Sequence, residues 1–197
     1  FIVLVLLFFF LAGGRSMLEQ VMGSMTNLEA RIHYATIAGT VQKNIAVYLA
    51  TVTLINTALG LATAGLMTVL GMPNPGLWGV MVTTLNFIPY LGSGVSLVVI
   101  GVVSALTFDD LLQIAAPPLA FLVLTAIEGN FVTPMIVGRR LTLNPIGVFL
   151  TILFWGWLWG IPGALMAVPI LAVFKILCDA HKPLHPLGAL LGGKPGT

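Results

Sequence analysis

Residues 111–127 carry no charge, and the run ends on a carboxylate, Glu128, with Asn130 two positions on and Thr133-Pro134 just after. A charged side chain in hydrocarbon costs several kcal/mol, so such a residue faces a cavity, a partner or a proton path. Counted from Pro118 as a helix, Glu128 lies about 15 Å deep, near mid-membrane; counted from Leu111 it approaches the inner interface. Two readings stand side by side: a proton-exchanging group on a solute path, or one half of an ion pair with Arg139 or Arg140. The amides of Asn86 and Asn130 offer donors and acceptors to a hydroxylated solute. Arg139-Arg140 read first as anchors at the end of a span, and second as a contact for substrate or lipid headgroup.

Enzymatic patterns are weaker. Gly188 to Lys194 matches the start of a phosphate-binding loop, but Pro195 stands where a Ser or Thr must hold magnesium. Ser93, between Gly92 and Gly94, resembles an intramembrane nucleophile, yet His33, His181 and His185 lie outside the apolar runs and leave it without a base. No HExxH or CxxC spacing exists for a metal. The expectation is therefore no catalysis, no cofactor and no metal.

The elements that must position these residues are set by composition. Apolar residues make up 58% of the 197, charged residues 7%, and the mean hydropathy is +1.08. A soluble domain needs about 25% charged residues to cover its surface. The eight basic and six acidic side chains are also clumped, with none in residues 44–108, 111–127 or 141–174. About 20 apolar residues cross hydrocarbon, so the first of these stretches holds more than one crossing. A net charge of +2 is too small to suggest nucleic acid, and the single cysteine, Cys178, excludes an internal disulfide.

Along the chain, residues 1–13 read as the end of a membrane helix whose beginning is missing. Residues 15–43 read as an amphipathic arm, because Leu18, Val21, Met25, Leu28, Ile32 and Ala35 recur at three- and four-residue steps. Residues 44–178 form the membrane domain, and 179–197 a polar tail, rich in Pro and Gly and expected to be poorly ordered. Within the membrane domain a long span, 45–70, ends at Gly71-Met72-Pro73-Asn74-Pro75. The segment 76–88 is only about 20 Å long as a helix, so with the segment after Pro89 it forms either a re-entrant hairpin or a short pair of spans. The same choice arises around Pro162. A weak echo links Asn74-Pro75…Ile88-Pro89…Gly92 to Asn144-Pro145…Ile161-Pro162-Gly163. Interrupted apolar segments in corresponding places point to a transporter's binding site, while ordinary kinks are the plainer reading. Trp155, Trp157 and Trp159 read as an interfacial aromatic belt. Lys and Arg near span ends favour the cytoplasm, which places the basic clusters inside and Asp109-Asp110 outside.

At these residues the chain resembles the autoinducer-2 exporter family of bacterial membrane proteins. The resemblance rests on Asn86-Phe87-Ile88-Pro89-Tyr90-Leu91-Gly92, then Glu128-Gly129-Asn130 with Pro134 and Gly138-Arg139-Arg140. Leu143-Asn144-Pro145 follows, and Trp155-Gly156-Trp157-Leu158-Trp159-Gly160-Ile161-Pro162-Gly163 leads into Ala167-Val168-Pro169. It covers residues 11–177, corresponding to the C-terminal two-thirds of a family member. Two departures stand out: Ser93 replaces a common Pro, and the stretch 15–43 is shorter than the usual arm. The resemblance implies a multi-span permease exporting a small polar quorum-sensing signal, autoinducer-2, while some relatives look like sodium–proton antiporters.

The expectation is thus an all-α, polytopic integral membrane protein of the bacterial inner membrane, with Pro- and Gly-interrupted, possible re-entrant helices and basic loops in the cytoplasm. Its transport path would draw on Glu128, Asn130, Asn86, Pro89, Thr133, Pro134, Arg139, Arg140, Pro162 and Gly163. Its partners would be a small polar solute or a cation, the lipid bilayer and further copies of itself. The alternatives are a sodium–proton antiporter and a membrane scaffold with no solute path.

Overall fold

The structure, a computed structural model, describes residues 27–137 and 143–192, with residues 8, 13, 14, 16, 17, 19, 20, 23 and 24. The chain divides into two units, Phe1–Asn44 and Ile45–Thr197. Of the expected amphipathic arm, 15–43, the structure describes residues 27–43 without a break, and from Leu28 to Thr36 its described side chains are exposed. The contacts described below are those of the second unit.

Helix α1, Leu28–Val69, ties several of its hydroxyls to its own backbone. Thr57, Thr63 and Thr68 each donate to the carbonyl four residues earlier, at 2.7–2.8 Å. The helix stops at Gly71, whose φ of 73° only a glycine adopts freely. There the Met72 N–H returns to the Met67 carbonyl at 2.9 Å and the Gly71 N–H to Thr68 at 3.2 Å. This closure satisfies the last carbonyls and brings Met67 and Met72 into one buried cluster. Pro75 then starts α2, Pro75–Leu85, where its missing N–H costs nothing.

At 11 residues, α2 is about 16 Å long, half of the ~30 Å hydrocarbon core, so it can enter a membrane but not cross it. This length is what a re-entrant hairpin around Pro89 would need. The chain breaks at residues 86–90, with Tyr90 at φ 64°, and continues as α3, Leu91–Thr107. Gly92 abuts the Leu85 carbonyl so closely that a Cβ there would collide with it, and α3 packs back on α2. Small residues also set the crossing of α1 with α2. A Cβ on Gly79 would come within 2.7 Å of the Gly60 carbonyl and 3.0 Å of Ala64 Cβ, so these backbones touch.

Helix α4, Leu111–Ile127, contains Pro117 and Pro118. Each removes the N–H that would have met the carbonyl four residues back, which orphans Gln113 and Ile114. Ser104 of α3, fully buried, donates to those same two carbonyls, at 3.4 Å and 2.8 Å. A π-helical turn, Glu128–Val132, and α5, Thr133–Val137, continue α4. Because α4 begins at Leu111, Glu128 lies about 25 Å along the helix, so the deeper position counted from Pro118 does not apply.

A second hairpin joins α6, Pro145–Trp159, to α7, Ile161–Ala180, through Gly160 at φ 67°. Here a Cβ on Gly163 would strike the Trp155 carbonyl, as one on Gly92 would strike Leu85. Both hairpins therefore start at an Asn-Pro pair, turn on a residue of positive φ, and close on a glycine, which gives the sequence echo a physical form. The tail is not loose as far as residue 192. A 3-10 turn, Lys182–Leu184, leads to α8, His185–Leu191, which packs on α7. Asn144 holds it, its N–H on the Leu191 carbonyl at 2.9 Å and its side chain on Leu190 at 3.3 Å. The expectation missed this because the anchor is contributed from forty-six residues away.

Arg31–Val69, Leu111–Val132 and Ile161–Ala180 are long and apolar enough to cross a membrane. The exposed surface of the helices is apolar: Leu61, Val69, Leu106 and Leu112 face outward, while Asn56, Thr63, Ser96 and Ser104 are buried. Such an inside-out pattern suits lipid and not water. Ser104→Ala should lower stability by about 1–3 kcal/mol, since two carbonyls lose their donor. Thermal unfolding in detergent checks this against Thr107→Ala, whose hydroxyl is exposed and bonds only within its own helix, and which should be near neutral.

Candidate functional site

Two buried clusters flank a gap. One joins α1 to α4 through Leu59, Met67, Trp78, Val82, Ile100 and Phe121. The other joins α6 to α7 through Val148, Ile152, Ala164, Ala167, Val168 and Leu171, with Tyr48 and Ile88 packed against it. A cavity of about 560 Å³ lies against residues of both halves. Val52, Ile55, Leu122, Leu143, Val148 and Val168 give it apolar walls, while Tyr48, Asn56, Asn86, Ser93, Thr125, Glu128 and Thr133 supply polar groups. An apolar cleft of this size with a few convergent polar groups is how small-molecule sites are built.

Each polar group has a structural reason to be there. The break at residues 86–90 ends one helix and starts another, so Asn86, Phe87, Pro89 and Tyr90 reach the cavity from an irregular backbone. In lipid such a break survives only where protein or a cavity surrounds it. The π turn does the same for Glu128. Its bonds run across five residues, Thr133 N–H to the Glu128 carbonyl, which stacks side chains five apart on one face. The Thr133 hydroxyl accordingly donates to Glu128 Oε1. Among the described residues Glu128 is the cavity's one carboxylate, half-buried, and no Lys or Arg lines the wall. Asn86 Nδ2 donates to Asn56 Oδ1 at 3.0 Å.

Of the residues expected from sequence, Glu128, Asn86, Pro89 and Thr133 come together here. Asn130 does not. It is exposed, and its amide donates to the Ala126 carbonyl of its own helix at 2.8 Å. Pro162 is exposed at the start of α7, and Gly163 is buried where that helix meets Trp155; neither lines the cavity. Pro134 lies in the first turn of α5. Arg139 and Arg140 lie outside the described residues, as does any pairing of Glu128 with them. Trp157 and Trp159 are exposed at the end of α6, while Trp155 stacks on Trp159 at 4.8 Å. Sequence reasoning passed over Tyr48, Thr125 and above all Asn56. The signal for Asn56 was present: it is the only amide in residues 45–69.

The family profile for AI-2E family transporters matches residues 1–182. The chain belongs to the AI-2E transporter family. It is 28% identical over 195 residues to a Borreliella burgdorferi protein with a provisional transport name, covering 98% of this chain and 53% of that one. It is 32% identical over 154 residues to YhhT of Escherichia coli K12, also provisionally named for transport, covering 78% and 44%. With TqsA of the same strain, named as an AI-2 transport protein, identity is 31% over 144 residues, 73% of this chain and 42% of TqsA. The chain thus spans about half the length of the curated relatives it matches. AI-2E membership, together with the apolar helices, makes this a multi-pass membrane protein of a transporter family. The relatives' transport names point away from an enzyme.

If the cavity admits water, single cysteines at Ser93 and Thr125, in a Cys178→Ala background, should react with a membrane-impermeant maleimide. Ile100→Cys, fully buried in the first cluster, should not. Equal protection of all three positions, read by mass spectrometry, would show a dry cavity.

Proposed function

We propose that this protein moves a small hydroxylated solute, of the autoinducer-2 type, out of the cell through the cavity between α1, the 86–90 break and the π turn. The observation that carries this reading is the convergence of Glu128, Asn86 and Thr133 on one largely apolar cavity beside an interrupted helix. The solute class is supported by chemistry: neutral hydrogen-bonding groups predominate, with one carboxylate and no described cation. It is also supported by similarity to TqsA.

In this reading the protein sits in the bacterial inner membrane with its basic ends in the cytoplasm. The hairpin of α2 and α3 then enters from outside and reaches about mid-depth. The cavity runs from that tip toward the inner end of α4, where Glu128 can take up solute from the cytoplasm. Glu128 exchanges a proton with each transport cycle, because moving a bare carboxylate through apolar surroundings is costly. Thr133 orients it, and further copies of the chain complete the assembly. Nothing in the cavity favours a cation–proton exchanger over an organic solute, and YhhT and TqsA are named for transport without antiport.

The test uses the intact protein in proteoliposomes loaded with AI-2 and a trapped pH dye. Wild-type vesicles should release AI-2 with a matching proton movement. Glu128→Gln keeps the shape of the side chain and should slow release by about tenfold or more and abolish the pH change. Release by Glu128→Gln at the wild-type rate would remove the proton role. Wild-type vesicles that retain AI-2 would instead favour a scaffold with no solute path.

A further inference from the structure

Among the described residues four have a positive φ: Gly71, Asn74, Tyr90 and Gly160. Glycine adopts that region freely and asparagine tolerates it, so three of the four suit their places. Tyrosine does not. Tyr90 sits at φ 64° and ψ −46°, and the Leu91 N–H beside it bonds to the Pro89 carbonyl at 2.7 Å. This is a three-residue γ-turn of the rare, strained hand. The second hairpin offers a comparison within the same molecule, for it turns on Gly160 at φ 67°. Gly71, Asn74 and Gly160 lie off the cavity wall, and Tyr90 lies on it.

The strain is locked in. The Tyr90 carbonyl accepts from the Gly94 N–H at 3.2 Å and from the Ser93 hydroxyl at 3.3 Å, so its peptide cannot turn without breaking the first turn of α3. The side chain gives the fold nothing that would offset this. It belongs to neither buried cluster, makes no hydrogen bond or ring contact among the described residues, and is 60% exposed. A residue on the cavity wall and yet this exposed stands at the cavity's mouth. Residues held in sparsely populated backbone regions gather at ligand clamps and active sites, where the strain fixes a group in advance.

We infer that Tyr90 is a solute-contacting residue: its ring, held at the cavity mouth by the strained turn, packs against the C–H face of the hydroxylated solute as it passes. The cavity then selects a molecule with an apolar face as well as hydroxyls, since an aromatic ring supplies rigid apolar area that hydrogen-bonding groups cannot. This inference rests on the export reading and adds which part of the solute the mouth reads.

The experiment measures release of AI-2 from proteoliposomes of the intact protein against internal AI-2 concentration, with melting temperature in detergent measured alongside. The proteins compared are wild type, Tyr90→Gly, Tyr90→Asn, Tyr90→Phe and Leu91→Ala. The Gly and Asn variants suit a positive φ and lack the ring, so they should melt no lower than wild type while raising KM by about tenfold. Tyr90→Phe keeps the ring and should stay within about twofold of the wild-type KM. Leu91→Ala, exposed beside Tyr90 but off the cavity wall, should leave KM as it is. Wild-type KM in the Gly or Asn variant overturns the contact, and a Phe variant as impaired as Gly overturns the role of the ring. A Gly variant that melts lower than wild type, or fails to fold, removes the premise of strain and the inference with it. A KM rise in Leu91→Ala equal to that of Tyr90→Gly also overturns it, because any disturbance of the break would then suffice. Wild-type vesicles that retain AI-2 overturn the export reading itself, a result of the wild type alone and so distinct from the others.

Discussion

In surroundings of lipid, no backbone N–H or C=O inside this bundle can turn to water, so each break in a helix must be answered by another part of the protein. The structure answers in three ways. At Pro117 and Pro118 a side chain steps in, with Ser104 of the neighbouring helix serving the two carbonyls that the prolines orphan. At the end of α1 the backbone folds on itself, Gly71 allowing Met72 to return to Met67. At residues 86–90 and in the π turn the break is turned toward a cavity. Only the third leaves polar groups available to something outside the fold, and that is where the candidate site lies.

The same constraint explains the glycines. Lipid chains are as apolar as leucine, so helices gain little by hiding leucine from them, and close backbone approach takes over. Gly60 against Gly79, Gly92 against Leu85 and Gly163 against Trp155 each bring two backbones to a distance that no Cβ would permit. Through these contacts α2 and α3 form one hairpin packed on α1, and α6 and α7 form another. Tyr48 and Ile88 connect the second hairpin's core to α1 and to the 86–90 break. The cavity is the space left where the two hairpin systems do not interdigitate.

Much of this was legible in the sequence, because the signals were local. The charge-free runs, the Gly71-Met72-Pro73 stop and the Pro89 break each depend on a few adjacent residues, and the structure places them as read. Glu128 was conspicuous as a charge where charges are costly. Asn130 was misleading for a geometric reason. Residues two apart on a helix point to opposite sides, so an amide at 130 could not join a carboxylate at 128. The partner lay five residues on, at Thr133, because the local helix is π, and no composition rule announces a π turn. Gly163 drew notice as part of an interrupted segment, but a glycine serves close packing and an open site equally well in sequence. Asn144 holding the C-terminal helix could not be foreseen, since the two segments are far apart in the chain.

Asn56 shows why a residue of this kind escapes notice. Its neighbours Ile55 and Leu59 are core residues, and the hydropathy of the segment hardly registers one amide. Asn86 Nδ2 donates to its Oδ1 at 3.0 Å, which ties the middle of α1 to the 86–90 break, while Asn56 Nδ2 is buried without a partner among the described residues. A bond between side chains thirty residues apart leaves no trace in local hydropathy, so neither amide announces the other in the sequence.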